Sequence, residues 1–461
     1  MRPRRHAVLI PLVTVVVLTV HGGAPESSAQ EQPAGGEPVE QIPFEFLERV
    51  EPEDRILRLH PLLPPVRIRT TVGVESEFSD NFFRTERDEE SVFRTSAVST
   101  ITAKMEGPRG FLDLGYGLRR TFHTRFSELD DFLHSATLNA GYQLTRRLSL
   151  ALTDSFVRSD DPVAAGPLGL RRGRSLFLRN VATPQLAYQA GPQTEIILRD
   201  SYTLVRNEDP ARDDSDGNSV ALELRTASRE VRSFSLGYEF TTIDSSLSSD
   251  VIGHRGNSLV AFPLSRVTAA TLDGEIRQRD LSRGTDFLVY AVRGGLLYQP
   301  ERDLKIEGGV GVESFLPEEG GDSLFVTFVV GATADFSESR LRGSVRRSVT
   351  ETFLEADNLG VFRSLQGSLS YEYFPSPEWL IRLNGSVAQN ETLQVSGLAG
   401  SIAGREDLVV RAGIDLTYQV ARWLAITGGY LFEDRDSNID GLSFTENRFH
   451  LNLTLIFDVL R

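Results

Sequence analysis

Apolar and polar residues alternate strictly at the end of the chain. The last thirteen residues, FHLNLTLIFDVLR, place an apolar side chain at every second position from Phe449 to Val459. The positions between them are mostly polar, beginning with His450 and Asn452. A period of two predicts a β-strand with one apolar and one polar face. A chain that ends on such a strand needs something to cover the apolar face.

The same alternation recurs along the chain from Val66 onward. Apolar residues occupy every second position in Leu112–Leu118, Val220–Leu224 and Phe234–Phe240, with polar residues or glycine between most of them. No segment of comparable length has a convincing helical period, and β-branched residues and glycine are plentiful. The sequence therefore predicts an all-β protein.

The connections between these segments fall into two sets that alternate along the chain. The short set pairs an aromatic residue with a turn, as in YQLTRRLSL from 142, YQPERDLKI from 298 and YQVARWLAI from 418. The long set is rich in acid or glycine, as in RNEDPARDDSDGNS and EDRDSNIDGLS. Tight turns on one side and long polar loops on the other are typical of outer-membrane barrels, and the recurring tyrosines would lie at one membrane interface.

Counting the alternating segments from 66 to 461 predicts a transmembrane antiparallel β-barrel of about 20 strands, with a range of about 18–22. In such a barrel acyl chains cover the apolar face, and the last strand pairs with the first strand near Val66. A soluble β-sandwich or solenoid would also alternate. That alternative leaves the asymmetry of the loops and the export signal described next unexplained.

Residues 1–29 have the order of a secretory signal peptide. MRPRRH is basic, AVLIPLVTVVVLTV is an apolar run of about 14 residues, and SSAQ offers small residues for cleavage near Ala29. A retained anchor is the alternative, although a spanning helix needs about 20 apolar residues. Residues 30–65 are rich in Pro, Gly and Glu and predict a short disordered periplasmic linker or a small plug. The chain has no cysteine, and its net charge of −15 disfavours nucleic acid as a partner.

If the apolar rows face lipid, the polar rows face the barrel interior. We predict that both signs of charge line this lumen. The candidates are Glu223, Arg225, Glu239, Asp273, Glu275, Arg277, Arg279, Lys305, Glu307, Glu313, Arg382, Arg411 and Asp415. Such a wall can line a hydrated channel, or it can form a salt-bridge network that leaves little bore.

Catalytic and metal-binding patterns are missing from the sequence. The histidines after the leader are scattered, and no His-Glu-x-x-His, Gly-x-Ser-x-Gly or Walker pattern occurs. The acidic stretches DDSDGN at 213 and DRDSNIDG at 434 do not fit an EF-hand loop. We therefore predict no enzyme, no cofactor and no metal site. Sequence spacing leaves Asp–His or Ser–His pairs of outer-membrane hydrolases open.

One stretch carries a family resemblance. VGVESEFSDNFFRT, from Val72 to Thr85, ends a first strand in a Ser-Asp-Asn-aromatic-aromatic-Arg run, and VFRTSAVSTITAKMEG and GFLDLGYGLRR follow it. This resembles the β-barrel porin type 2 family, and Ser79, Asp80, Asn81 and Arg84 are the matching positions. The resemblance implies an outer-membrane barrel associated with exopolysaccharide production. Residues of this type also simply end a strand and shape a loop.

Together these patterns predict a porin-like barrel in the bacterial outer membrane that assists passage or export of a hydrophilic solute, with an exopolysaccharide as the substrate that the family suggests. The expected partners are outer-membrane lipid, the barrel assembly machinery and polysaccharide or its export proteins. The alternative is a non-conducting scaffold or adhesion barrel that anchors capsule or matrix polysaccharide.

Overall fold

In a computed structural model, the chain forms one closed antiparallel barrel of twenty strands. The structure describes residues 66–161, 174–226, 233–353, 360–394 and 404–460. The strands are β1 Val66–Ser79, β2 Val92–Gly107, β3 Gly110–His123, β4 Phe132–Thr145, β5 Leu148–Ser159, β6 Phe177–Gly191, β7 Thr194–Asn207, β8 Ser215–Thr226, β9 Ser233–Ser245, β10 Val251–Pro263, β11 Thr268–Leu281, β12 Phe287–Glu301, β13 Leu304–Pro317, β14 Ser323–Asp335, β15 Ser339–Thr352, β16 Gly360–Ser376, β17 Trp379–Gln394, β18 Glu406–Ala421, β19 Leu424–Ser437 and β20 Phe444–Leu460. The prediction of an all-β barrel of about 20 strands is confirmed.

The first and last strands close the barrel. β1 pairs with β20 from Ile68 opposite Leu460 to Ser79 opposite Arg448, and every other strand pairs with its neighbours in the sequence. A closed ring has no strand edge along this ladder, so backbone donors and acceptors are satisfied within the protein. The only helical element of the described residues is a 3₁₀ turn at Ser127–Leu129, and none is long and apolar enough to cross a membrane.

The outer surface carries the apolar rows. Val310 of β13 is 62% exposed, and Leu451 and Phe449 of β20 are similarly open. Side chains of this kind recur on alternate positions around the ring, so they form a continuous apolar belt rather than isolated exposed residues. The apolar face of the C-terminal strand is part of this belt. It lies on the outside of the barrel, where lipid covers it.

Two carboxylates interrupt this outer belt. Asp154 of β5 and Asp200 of β7 lie on the same rows as the exposed Leu150 and Leu198. Each accepts a hydrogen bond from an asparagine of an adjacent strand, Asn180 Nδ2 at 3.1 Å for Asp154 and Asn218 Nδ2 at 3.0 Å for Asp200. A polar partner within the wall lowers the cost of placing these groups toward hydrocarbon.

The tight turns mark one rim of the barrel. Tyr188, Tyr298 and Tyr418 are exposed beside three of them, and the Trp379 ring stacks on Tyr418 with centroids 4.4 Å apart. Aromatic rings at this level are typical of the membrane–water interface. The opposite rim carries the longer connections, including 80–91 and 208–214. The predicted signal peptide at 1–29 and the linker or plug at 30–65 lie outside the described residues.

The orientation of the apolar rows yields the first prediction. Val310→Arg would place a cation toward hydrocarbon midway along β13 and should lower the free energy of unfolding by about 2–4 kcal/mol. The matched control is Val98→Arg on the inward row of β2, which should cost less than about 1 kcal/mol because its guanidinium reaches lumenal water. Urea-induced unfolding in liposomes measures both. Equal losses in the free energy of unfolding for the two variants would contradict the assignment of these rows to the lipid and lumenal faces.

Candidate functional site

The polar rows of the strands converge in the lumen. All thirteen predicted lumen residues lie on the rows opposite the exposed apolar side chains of their own strands. Contacts between strands that are not neighbours support this direction, since only side chains on the concave face can meet across intervening strands. Arg277 of β11, for example, reaches Glu313 of β13 at 2.9 Å. Whether these residues line an open passage stays a prediction.

Most of the predicted lumen residues are paired along the wall. The pairs are Arg225–Glu223 at 2.6 Å, Arg255–Glu275 at 3.2 Å, Arg293–Asp273 at 2.7 Å, Lys305–Glu307 at 2.9 Å, Arg382–Glu372 at 3.2 Å, Arg411–Glu433 at 3.0 Å and His450–Asp415 at 3.1 Å. Glu239 accepts from the Thr241 hydroxyl at 3.4 Å. The wall is therefore a ladder of opposite charges, and neither sign dominates it.

The densest charge lies at the long-loop end beside the β1–β20 joint. We call it the closure cluster. Its members are Glu77, Arg84, Arg94, Asp160, Asp161, Arg174, Glu433, Glu446 and Arg448. At its centre Arg84 bridges Glu433 at 2.7 Å and Glu446 at 2.8 Å, and these three side chains are at most 2% exposed. Arg174 adds a second guanidinium to Glu446 at 2.9 Å.

The rest of the closure cluster connects it to the neighbouring wall. Arg94 pairs with Glu77 at 3.1 Å and with Asp160 at 3.5 Å, and Arg448 pairs with Asp161 at 3.3 Å. Asp160 and Asp161 directly follow β5, whereas Arg448 belongs to β20. These contacts reach from β20 to the end of β5, past β1–β4. They hold charged side chains across the lumen rather than flat along its wall.

The run of residues that carries the family resemblance builds this cluster. Ser79 Oγ donates to Glu446 at 2.8 Å, and the Asp80 carboxylate accepts from the backbone N–H and side-chain Nδ2 of Asn447, both at 2.7 Å. Asn81 Nδ2 donates to a backbone carbonyl of β20 at 3.1 Å. The run thus ties the end of β1 and the following loop to β20. These contacts lie at the joint where β1 and β20 close the barrel.

The loop after β1 then folds over the cluster. Arg84 has a left-handed backbone (φ 56°), which an ordinary side chain adopts only where its surroundings hold it. Phe82 is 1% exposed, its ring lies 4.5 Å from the Arg174 guanidinium, and it meets His123 edge-on at 5.4 Å. Aromatic packing therefore excludes water from the central ion pairs, which strengthens their attraction.

Sequence reasoning missed the carboxylates that anchor Arg84. Arg448 and Glu446 lie on the same inward row as His450, one and two steps upstream in the alternation of the last strand. Extending that alternation upstream would have found both. Arg174 had no such signal, because it lies in a connection and not in a strand.

A second group of charges lies on the far wall at the same end. We call it the hairpin cluster, made of Arg277, Arg279, Glu313 and Glu351. Arg277 contacts Glu313 at 2.9 Å and Glu351 at 2.8 Å, and Arg279 contacts Glu351 at 2.7 Å. β11 and β1 are ten strands apart in a ring of twenty, so the two clusters face each other across the lumen. Both clusters place charged side chains at the long-loop end of the lumen.

The wall near the tight turns is wetter. Ser149, Thr153 and Ser155 of β5 are exposed on its inward row, and so are Arg342 and Ser344 of β15. A pocket of about 120 Å³ lies among β1–β5 and β20, with lumenal side chains such as Arg69, Glu75 and Arg119 in its wall. Hydroxyl and charged groups open to this space favour water and polar solutes.

Ion pairs continue onto the rim. Arg158 donates to both carboxylate oxygens of Asp131, at 3.0 and 2.8 Å, and this lowers the pKa of Asp131. A lowered pKa contributes stability that is present above the unfolded value and is lost as pH falls through the folded value. Within the described residues, no three His, Asp or Glu side chains are arranged to hold a metal ion.

The fold and the site together define a transmembrane β-barrel, the class found in bacterial outer membranes. No family model and no curated protein matches the chain. Solved structures with a similar fold include OccAB3 of Acinetobacter baumannii (11% identity, 85% of this chain and 99% of that chain, TM-score 0.39) and OprD of Pseudomonas aeruginosa (10%, 90% and 98%, 0.38). The siderophore receptor PirA of Acinetobacter baumannii is also similar (9%, 85% and 80%, 0.46). These similarities assign no substrate.

The closure cluster yields the second prediction. Arg84→Met would leave Glu433 and Glu446 short of their shared cation, and we expect a loss of about 3–5 kcal/mol in the free energy of unfolding. The matched control is Arg125→Met, which removes an exposed ion pair with Glu90 and should cost less than about 1 kcal/mol. Urea unfolding in liposomes compares them. Similar losses for both variants would refute the closing role of Arg84.

Proposed function

We propose that the protein is a passive conduit for hydrophilic solutes across the bacterial outer membrane. The observation that carries the proposal is a lumen wall of paired charges that remain open to water. Arg225, Lys305 and Glu307 are each 40–44% exposed although they are engaged in ion pairs. Such side chains can exchange contacts between each other and a passing polar solute, and no covalent step is involved.

In this proposal the closure cluster and the hairpin cluster limit the width of the solutes that can pass. They face each other at the long-loop end, and the side chains at their centres are more buried than Lys305 and Glu307 of the lower wall. A solute entering there meets a narrow polar gap and then a wider polar lumen. The narrowing favours a slim solute over a bulky one.

An exopolysaccharide is our finer proposal for the solute. Its support is the resemblance of the Ser79–Arg84 run to the porin type 2 family and the abundance of serine, threonine and charged groups, which suit a polyhydroxylated chain. Export proteins for that polymer and the barrel assembly machinery are the proposed partners. A surface scaffold is the second candidate, and the depth of burial in the closure cluster favours it.

Single-channel recording gives the third prediction. The purified protein in a planar bilayer should conduct ions in discrete steps, and the double variant Arg279→Ala/Glu351→Ala should raise the step size because both members of one constricting pair are gone. The matched control is Arg382→Ala/Glu372→Ala, which removes a pair beside a tight turn, away from both clusters, and should change the step little.

Silence of the wild type and of the double variant would contradict the conduit and favour the scaffold. Liposome swelling with a monosaccharide and with linear and branched oligosaccharides tests the finer proposal. We expect the monosaccharide and the linear oligosaccharide to enter the liposomes and the branched oligosaccharide to be excluded. Uptake of the monosaccharide alone would argue against a polymer.

A further inference from the structure

Three charged side chains lie on lipid-side rows deep within the apolar belt. They are Asp154 of β5, Asp200 of β7 and Arg347 of β15. Arg347 follows Val345, which is 42% exposed, on the outward row of its strand, just as the two aspartates follow exposed leucines on theirs. The other charged side chains on outward rows of the described strands all lie within four residues of a long loop.

The arginine and the two aspartates lie at nearly the same depth. Asp154 and Asp200 are each six residues above the first residue of their strands, which follows a tight turn. Arg347 is seven residues above the lowest rung of the β14–β15 ladder. In strands tilted by about 40°, these counts correspond to about 15 Å for the aspartates and about 18 Å for the arginine. Both levels lie inside an apolar band about 25 Å tall, and the length of an arginine side chain covers the difference.

Charge at this depth is unfavourable unless an opposite charge meets it. Asp154 and Asp200 accept hydrogen bonds from Asn180 and Asn218, which supply polar hydrogens but no positive charge. The Arg347 guanidinium forms no ion pair and no hydrogen bond with any described residue. Its placement toward lipid is the kind that the first prediction expects to be costly. Within the described part of the chain, all three groups therefore lack a counter-ion.

The two signs of charge lie on opposite walls of the barrel. In the ring of twenty strands, β15 is ten strands from β5 and eight from β7. One copy of the chain therefore cannot pair its own Arg347 with its own aspartates, whereas two copies side by side can. A two-fold contact would bring like charges together. The contact that pairs opposite charges is heterologous, with the arginine wall of one copy against the aspartate wall of the next.

The backbone makes the aspartate wall still more polar. The β6–β7 ladder has no rungs at Thr183 and Pro184, at the level of Asp200. Proline has no N–H, so β7 lacks one ladder donor at this level. A guanidinium group has five N–H donors and can serve a carboxylate and a backbone carbonyl together.

We propose that copies of this chain associate side by side in the outer membrane, with Arg347 of one copy against Asp154 and Asp200 of the next. Because the two walls are nearly opposite, each copy holds two neighbours, and the barrels form rows. The head group of an anionic lipid stays at the membrane surface, above the level of Arg347. A second copy supplies both signs of charge at matching depth. The association is separate from the passage proposed above and does not depend on it.

Disulfide cross-linking tests the contact and is the fourth prediction, since the chain has no cysteine. Val345→Cys lies one step below Arg347 on the outward row, and Leu198→Cys lies one step below Asp200. In liposomes at low protein density, oxidation of an equal mixture of the two variants should give a covalent dimer, and each variant alone should give little. The chain that carries both cysteines should give a ladder of dimers, trimers and longer species.

The matched control is a mixture of Val345→Cys with Leu451→Cys. Leu451 is 51% exposed and lies four residues above the lowest rung of its ladder with β19, as Leu198 does above the lowest rung of the β7–β8 ladder. β20 is five strands from both β15 and β5, so Leu451 faces lipid away from either wall. This mixture should give little dimer.

Charge substitutions in the same background test the pairing itself. Arg347→Gln in the Val345→Cys chain should remove most of the dimer, and so should Asp154→Asn/Asp200→Asn in the Leu198→Cys chain. Both changes take charge away from lipid, so barrel insertion should not suffer. Arg347→Glu should also remove the dimer, and Asp154→Asn/Asp200→Arg in the Leu198→Cys chain should restore it.

A dimer that survives the loss of Arg347 or of both aspartates would overturn the proposal. Equal yields with the Leu451→Cys control would do the same, because they would indicate random collision. Strong cross-linking of Val345→Cys alone would show a two-fold contact instead of rows. The absence of a dimer from every mixture would show that the barrels stay apart.

Discussion

Backbone hydrogen bonding inside hydrocarbon is the constraint on which this structure depends. Water cannot satisfy N–H and C=O groups there, so the sheet must return to its own first strand. Every pair of neighbouring strands except β1 and β20 is also joined by a connection in the chain. The β1–β20 joint has no such tether. The Ser79–Arg84 run, Glu446 and Asn447 supply one through side chains, which explains why the Arg84–Glu446 pair is buried at that joint.

The sequence predicts the barrel well because its signals are local. Alternation with a period of two assigns each residue of FHLNLTLIFDVLR to a face, and the contrast of tight turns with long loops orders the strands. The same alternation places the charged residues of β8, β11 and β13 on the lumenal face of the barrel. Glu446 and Arg448 were within reach of the same reasoning, since the alternation of β20 extends upstream to them.

The rest could not be predicted, because alternation assigns a residue to a face of its strand and not the strand to a place in the wall. Val349 and Glu351 continue the lipid-side row of Val345, and the pattern predicts that they face lipid. Their burial depends on Glu313 and Arg277, which are 36 and 72 residues away from Val349 along the chain. The course of the loop that buries Phe82 and Arg84 likewise depends on distant partners.

Buried ion pairs are poor sources of stability, because desolvation offsets most of their attraction. Stability therefore does not explain why these ion pairs are concentrated at the long-loop end. The shape that they give to the passage is a better explanation. The closure cluster holds four arginines against five carboxylates, and the hairpin cluster holds two against two. Groups so nearly balanced produce little net field, although the whole chain carries −15. A gap between two such clusters would select a solute by its width and hydration, and only weakly by the sign of its charge.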